Sequence, residues 1–153
     1  MKTQNEMKLT FPSYSVNEAF ARTAVAAFFA QLDPTLDEIS DMKTAVSEAV
    51  TNCIVHAYRN TIGPVCITAR VLEGDVAYIK VKDRGCGIEN VKQAMEPMFT
   101  TAPEEERAGL GFAVMESFMD SVKVTSKVGK GTAVVLRKKL ASRANHGKSG
   151  SGT

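Results

Sequence analysis

The sequence Asp83-Arg84-Gly85-Cys86-Gly87 follows a strand-like run, Val76 to Val81, and places an acidic side chain where a strand leads into a glycine-rich loop. Glycine at two alternate positions lets the backbone approach a flat or charged ligand closely. The Asp83 carboxylate can accept a hydrogen bond from an exocyclic amine. An aspartate followed by glycines is also typical of an ordinary turn, so the rest of the sequence must decide between a binding loop and a turn.

Length and composition indicate an ordinary globular domain. The chain has 153 residues, of which 44% are hydrophobic and 24% are charged. One domain with a substantial hydrophobic core is therefore expected. The net charge of +2 does not indicate a nucleic acid partner, because proteins that bind nucleic acids are usually strongly basic.

Neither a targeting segment nor a metal–thiolate site is evident. Met1 to Glu6 is polar, and the longest apolar run, Ala24 to Ala30, is too short to span a membrane. These features favour the cytoplasm and no membrane association. Cys53, Cys66 and Cys86 lack the Cys-x-x-Cys spacing, which favours reduced thiols over disulfides or a zinc site.

The first elements are predicted to be a strand and a helix. Met7, Leu9 and Phe11 alternate with polar residues, as in a half-buried strand. Ser15-Val16-Asn17-Glu18 has the pattern of a capping box, so a helix should follow. Its broad apolar stripe is either buried in the core or partly in contact with a partner chain. The stripe consists of Val16, Phe20, Ala24, Ala27 and Phe28, widened by Val25, Phe29 and Leu32.

A second helix carries an unusual polar row. Thr35-Leu36-Asp37-Glu38 is another capping box, and the helix is predicted to run to about Tyr58. Glu48, Asn52 and His56 recur every four residues and therefore share one side of this helix. A solvated face is the simplest explanation. However, the row combines a carboxylate, an amide and an imidazole, which are groups that a functional site uses.

The remaining sequence completes an α/β fold (α+β), a two-layer sandwich. A hairpin is predicted from Val65–Leu72 and Val76–Val81, and a short helix near Asn90–Met95. Glu96–Ala108 has no regular apolar period and is predicted to be a surface loop that could act as a lid. The sheet should be mixed but largely antiparallel, with helices on one face.

The last part of the chain is predicted to contain a helix and two strands. Gly109-Leu110-Gly111 should open the helix, with Phe112, Met115 and Phe118 facing inward. The closing strands are Val122–Thr125 and Thr132–Leu136. The folded domain is expected to span residues 1–140, followed by a disordered polar tail at 141–153.

Several nucleotide-binding signatures are excluded. Gly147-Lys148-Ser149 ends like a P-loop, but Ser142 stands where the first glycine is required. The pairs at Gly85, Gly109 and Gly129 each lack the third glycine of the dinucleotide fingerprint. The motifs of ordinary protein kinases are also missing.

Four motifs in order resemble those of the GHKL (Bergerat-fold) ATPases. They are Glu48 to Asn52 on a helix, Asp83-x-Gly85-x-Gly87, Gly109-x-Gly111, and Gly129-x-Gly131-Thr132. More closely, the chain resembles the anti-sigma serine kinases of Gram-positive spore formers. That similarity rests on Ser47 to Asn52, Phe99-Thr100-Thr101 and Phe118-Met119-Asp120, and the whole resemblance covers about Glu6 to Leu140.

The resemblance implies a binding site for ATP or ADP with Mg²⁺. Asp83 would accept from the adenine amino group, with Thr132 assisting in the same pocket. Gly85 and Gly87 would let the loop pass the base and ribose. Asn52 would ligate Mg²⁺ through its amide oxygen.

The resemblance also assigns the phosphate end. The backbone amides from Gly109 to Gly111 would bind phosphate at a helix start. Arg107 matches the family's contact to the γ-phosphate, and Thr100 and Thr101 fall in a nucleotide-binding motif. Glu48 matches the general base that orients the attacking serine hydroxyl.

The implied function is an anti-sigma factor that is also an ATP-dependent protein serine kinase. It would hold a sporulation sigma factor inactive and phosphorylate a serine of an anti-anti-sigma protein. A homodimer is implied, with Arg22 matching a partner-contact arginine. A general-stress anti-sigma kinase, the ATPase domain of a histidine kinase, and a regulator that only binds ATP remain as alternatives.

Overall fold

The computed structural model describes residues 1–96 and 103–141, with the side chains of residues 103–109 outside that description. A five-stranded sheet forms one layer, in the order β1-β2-β3-β5-β4, and each pairing is antiparallel. The sequence predicted a mixed sheet, so this detail differs, while the strands themselves are confirmed. Their bounds are β1 Thr3–Pro12, β2 Pro64–Leu72, β3 Val76–Asp83, β4 Ser121–Lys127 and β5 Gly131–Lys139.

The second layer consists of helices packed on one face of the sheet. The predicted two-layer α/β sandwich is therefore confirmed. None of the helices within the described ranges is long and apolar enough to cross a lipid bilayer. The helices are α1 Asn17–Phe29, α2 Leu36–Asn52, α3 Val91–Ala94 and α4 Pro103–Phe118, with a 3-10 turn at Ala30–Leu32 and a π-helical turn at Cys53–Ala57.

The two faces of the sheet differ in character because side chains alternate along each strand. In β3, Ile79, Val81 and Asp83 are buried beneath the helices, whereas Lys80 and Lys82 point to the other face. The residues that share this open face with them include many cations. These are Lys8, Arg70, Lys123 and Arg137.

Helix α1 does not begin with the predicted capping box. Its N-cap is Val16, whose side chain makes no capping hydrogen bond, and the Glu18 amide donates to the Ser15 backbone carbonyl instead. The Glu18 carboxylate accepts a hydrogen bond from Ser47 Oγ and pairs with Arg22 at 3.5 Å. The prediction was wrong because tertiary partners on α2 and one turn along α1 occupy the carboxylate.

The buried stripe of α1 is centred on the widened side of the predicted stripe, so Val25 and Phe29 are buried as predicted, while the start of the stripe is wrong. Ala21, Val25 and Phe29 are fully buried, whereas Val16 and Phe20 are 76% and 53% exposed. Both sides of the broad stripe satisfy helical spacing, so the sequence pattern alone could not show which side is the more deeply buried.

Helix α2 begins as predicted. Thr35 Oγ1 accepts from the Glu38 amide at 3.1 Å, and the Glu38 carboxylate accepts from the Thr35 amide at 2.8 Å. The helix continues through the π-helical turn and ends at Tyr58, where the Tyr58 amide donates to the Cys53 carbonyl over 3.0 Å. The predicted extent is therefore confirmed.

Helix α4 starts earlier than predicted, at Pro103 instead of Gly109. Proline suits the first helical position, and three glutamates follow it in the first turn, where the helix dipole favours negative charge. Phe112 and Met115 are buried as expected, but Phe118 is 37% exposed, and Met119 is buried in its place.

Two predictions fall largely outside the described residues. The predicted lid at Glu96–Ala108 includes residues 97–102, and its last part belongs to α4. The predicted tail at 141–153 has only Ala141 within the described range.

Candidate functional site

The site is built around Asp83, the last residue of β3, whose side chain is only 5% exposed. Its Oδ1 atom accepts from the backbone amides of Gly85 at 2.9 Å and Thr132 at 3.2 Å. Two backbone donors fix the carboxylate in one orientation. The sequence-predicted pair Asp83 and Thr132 therefore lies together, with both residues lining one cavity.

Close backbone packing explains the glycines of this loop. A Cβ atom on Gly85 would lie 2.4 Å from the Ala57 carbonyl oxygen, and one on Gly87 would lie 2.3 Å from the Lys127 carbonyl oxygen. Gly87 also has φ of +78°, which side-chain-bearing residues rarely adopt. The loop is thus clamped between the π-helical turn and the β4–β5 hairpin.

Tyr58 supports the same loop and was missed by the sequence analysis. Its hydroxyl accepts from the Arg84 amide at 2.7 Å and donates to the Pro64 carbonyl at 2.7 Å. Burial raises the pKa of Tyr58 above its ordinary value, despite the Arg84 hydrogen bond that opposes this shift. A tyrosine just after a helix carries no sequence signal for this role, because Arg84, the loop residue that it supports, lies 26 residues further along the chain.

The cavity has a volume of about 70 Å³, which is smaller than that of a typical ligand pocket. Among the described residues, its lining joins α2, the Asp83 loop, α4 and β5. The lining includes Asn52, Cys53, His56, Asp83, Cys86, Gly87, Phe112 and Thr132.

Cys53 lies beneath this cavity and is 3% exposed. Burial raises the pKa of the Cys53 thiol well above its usual range, and the nearby Asp83 carboxylate raises it further. The thiol is therefore neutral and unreactive at physiological pH. All three cysteines are free, as the sequence indicated.

Glu48 and Asn52 meet at one point on α4. A Cβ atom on Gly111 would lie 3.2 Å from Glu48 Oε2, 3.4 Å from Asn52 Oδ1 and 3.5 Å from Asn52 Nδ2. One turn of α2 separates the two residues, so both side chains project to the same side, as predicted. Glu48 itself does not line the cavity that Asp83 lines.

Asn52 meets the requirements of a divalent-cation ligand in part. Its Nδ2 atom is buried and has no hydrogen-bond partner within the described residues, so this donor is left for a ligand oxygen, while Oδ1 is the atom that can bind a cation. The described residues contain no cluster of three or more histidine, cysteine or acidic side chains that could hold a metal. Magnesium bound mainly by phosphates needs only one or two protein ligands, and the amide of Asn52 fits that pattern.

The remaining predicted residues belong to the phosphate end of the site. Thr100 and Thr101 lie outside the described residues, and for Arg107 and Gly109 only the backbone within α4 is described. Because α4 begins at Pro103, the amides from Gly109 to Gly111 lie inside the helix and not at its free end.

Arg22 lies away from the cavity, on a groove that Ser47 and Glu48 also line. Its side chain is 43% exposed and is paired with Glu18. The groove joins Arg22 to the carboxylate end of the site.

Comparison with known proteins identifies the family to which the chain is related. Residues 12–138 match the histidine kinase-like ATPase domain family. The chain is 59% identical to the anti-sigma F factor of Caldanaerobacter subterraneus subsp. tengcongensis, over 90% of this chain and 96% of the relative. It is 55% identical to the anti-sigma F factor of Clostridium acetobutylicum, over 90% of this chain and 96% of that relative.

The chain belongs to the anti-sigma F factor family. The family expected from the resemblance is thereby confirmed. Solved structures agree on the fold of this anti-sigma F factor family member. The RsbU and RsbW domains of a Mycobacterium tuberculosis protein give a TM-score of 0.64 at 20% identity, over 90% of this chain and 32% of that one. A histidine kinase domain from Erythrobacter litoralis gives a TM-score of 0.54 at 20% identity, over 80% of this chain and 60% of that one.

Proposed function

We propose that this protein holds a sporulation sigma factor inactive and uses Mg-ATP to phosphorylate a serine of its anti-anti-sigma antagonist. The observation that carries the proposal is the meeting of Glu48 and Asn52 at Gly111, within 3.5 Å of one point. A carboxylate and an amide at one point provide a proton acceptor and a metal ligand together. Membership of the anti-sigma F factor family supports the same function and favours it over a general-stress anti-sigma kinase.

The adenine of ATP or ADP would bind at Asp83 and Thr132. The Asp83 carboxylate is already fixed by two backbone amides, so it can accept from an exocyclic amine without reorganising. A hydrogen bond to a charged acceptor contributes about 1.5 to 3 kcal/mol. Gly85 and Gly87 shape the loop that borders this end.

Magnesium, when bound, would neutralise charge on the phosphates, with Asn52 as its ligand from this chain. Glu48 would orient the serine hydroxyl and take its proton as the serine oxygen bonds to the γ-phosphorus and the bond to ADP breaks. Glu48 lies one helical turn from Asn52, which aligns the proton acceptor with the phosphate end.

Gly109, Gly111, Arg107, Thr100 and Thr101 would serve the phosphates. Phosphate binding by the amides from Gly109 to Gly111 requires that α4 release its internal hydrogen bonds there, because these amides lie inside the helix in this structure. ATP binding and a rearrangement of the start of α4 would therefore accompany each other.

The protein would work in the cytoplasm as a homodimer, with Arg22 contacting a partner protein. The groove from Arg22 to Glu48 supports this role, because it links the partner surface to the proton acceptor. Arg22→Glu should weaken binding to the sigma factor or to the antagonist and leave ATP affinity unchanged. Unchanged binding of both proteins would remove Arg22 from the proposed surface.

The kinase activity is tested by incubating the protein with Mg-ATP and its antagonist and identifying phosphoserine by mass spectrometry. Glu48→Gln should abolish transfer and keep ATP binding, because the amide retains the size of the carboxylate but cannot take a proton. Glu116→Gln, on an exposed position of α4, is the matched control and should keep transfer. Full transfer by Glu48→Gln would refute the assignment of the base.

A further inference from the structure

Ser126 lies behind the adenine end of the proposed site and contacts three groups. Its Oγ atom is 2.7 Å from the Ile88 amide nitrogen, 3.1 Å from the Gly131 carbonyl oxygen and 2.7 Å from Thr132 Oγ1. Ser126 does not line the cavity, whereas Thr132 does. Ile88 also lines the cavity, but it contacts Ser126 through its backbone amide, so Thr132 is the polar side chain through which Ser126 can act on a ligand.

The directions of these three hydrogen bonds are fixed by chemistry. The Ile88 amide can only donate, and the Gly131 carbonyl can only accept. Ser126 has one proton, so it donates to Gly131 and accepts from Ile88. The one arrangement that makes all three contacts hydrogen bonds then requires the Thr132 hydroxyl to donate to Ser126.

We propose that Ser126 holds the Thr132 hydroxyl as a hydrogen-bond acceptor toward the pocket and thereby makes the site select 6-amino purines over 6-oxo purines. The inference rests on the proposed binding of ATP at Asp83. With its proton directed at Ser126, Thr132 presents only lone pairs to a ligand. Asp83 also presents an acceptor, so both groups favour the N–H donors of a 6-amino group.

A 6-oxo purine meets the opposite situation. Its carbonyl oxygen would face the acceptors of Asp83 and Thr132, and no proton would lie between them. The backbone bonds to Ile88 and Gly131 keep Ser126 from turning its own proton toward Thr132. Ser126 is thus a positioning residue that acts through Thr132.

The test measures the dissociation constants of ATP and inosine triphosphate by calorimetry with Mg²⁺. Inosine triphosphate probes the 6-position because it carries an oxo group there, with a proton on N1, and retains the ribose and phosphates. Ser126→Ala frees the Thr132 hydroxyl to rotate and donate to the oxo group. The preference for ATP over inosine triphosphate should fall about three- to tenfold, which is the value of one neutral hydrogen bond.

Three controls isolate the relay. In a Thr132→Val background, Ser126→Ala should leave the preference unchanged, because no hydroxyl remains to reorient. Ser121→Ala, on the solvent side of the same strand, should keep the wild-type preference. Ser126→Cys, which is nearly the same size and hydrogen-bonds weakly, should shift the preference in the same direction as Ser126→Ala even if the alanine variant fails to fold.

The outcomes separate this inference from the proposed function. If wild-type protein binds ATP but neither Ser126 variant changes the preference, the relay is refuted and the kinase proposal stands. An equal loss of preference in the Thr132→Val background would also refute it, because the effect would not pass through Thr132. If the wild type binds no ATP, the proposed function and the relay are refuted together.

Discussion

Replacing Gly111 by alanine should separate stability from activity. Gly111 is buried in the interior of α4, and an added Cβ would lie 3.2 Å from Glu48 Oε2 and 3.4 Å from Asn52 Oδ1. The distance to Glu48 is tighter than usual carbon–oxygen packing, so that side chain must move by a few tenths of an ångström, whereas the distance to Asn52 is an ordinary contact. The methyl group therefore reaches the point where the proposed proton acceptor and metal ligand meet.

The substitution should raise the stability of the fold and lower the rate of phosphoryl transfer. Alanine stabilises a helix interior by about 0.8 to 1.0 kcal/mol relative to glycine. Glu48 is partly exposed and can shift at little cost, so the free energy of unfolding should rise by up to about 1 kcal/mol. This corresponds to an increase in Tm of about 2–4 °C for a chain of this length. Displacement of a catalytic group should reduce phosphoryl transfer about ten- to a hundredfold.

Thermal unfolding and a phosphoryl-transfer assay on the same preparation measure both effects. Ser117→Ala is the matched control because Ser117 is exposed on α4 and alanine again raises helix propensity. It should raise Tm slightly and leave transfer unchanged. A Gly111→Ala protein with wild-type transfer would refute the reasoning, because Glu48 and Asn52 would then not act at this point of α4.

Three further predictions concern stability and accessibility. Thr35→Ala should lower the free energy of unfolding by about 1 kcal/mol in urea titrations, because it removes the side-chain half of the capping box; an unchanged midpoint would contradict this. Cys86 is exposed at the cavity, whereas Cys53 is buried. Iodoacetamide should therefore label Cys86 before Cys53, and Mg-ATP should slow the labelling of Cys86. Earlier labelling of Cys53, detected by mass spectrometry, would contradict this prediction. The pKa values of Cys53 and Tyr58 are raised in the folded state, so the unfolded chain loses these protons at lower pH than the folded protein does. The free energy of unfolding should therefore decrease as pH rises above the ordinary thiol pKa of 9.0. Urea midpoints that stay constant at higher pH would contradict this prediction.

Much of the fold was predictable because its signals are local. The alternation in β1, the capping box at Thr35 and the turn before Val76 each depend on a few neighbouring residues. The adenine end of the site was also predictable, since Asp83 and its glycines form one continuous stretch. These features needed no knowledge of distant contacts.

The errors arose where distant contacts decide. Glu18 was assigned to a capping box, but Ser47 and Arg22 bind its carboxylate. The start of α4 was placed at Gly109 because the glutamates before it resemble a solvated loop, although they also suit the first turn of a helix. Ser126 was not recognised, because its partner Ile88 lies far away in the sequence.

The charge distribution was also hidden in the sequence. A net charge of +2 does not indicate that positive charge is concentrated on one side of the protein, yet several cations share the open face of the sheet. Tyr78 lies on that face, with the guanidinium groups of Arg70 and Arg137 at 5.1 Å and 5.3 Å from its ring centre. Only the strand register brings these residues together.

Calorimetric titration of Mg-ATP into the wild type and the Asp83→Asn variant tests the central claim most directly. Asparagine keeps an oxygen for the Gly85 and Thr132 amides, so the loop should retain its conformation, while the charged acceptor for adenine is lost. The wild type should bind ATP, and the variant should bind it about ten- to a hundredfold more weakly. Equal affinity of the two proteins, or no binding by the wild type, would contradict the account.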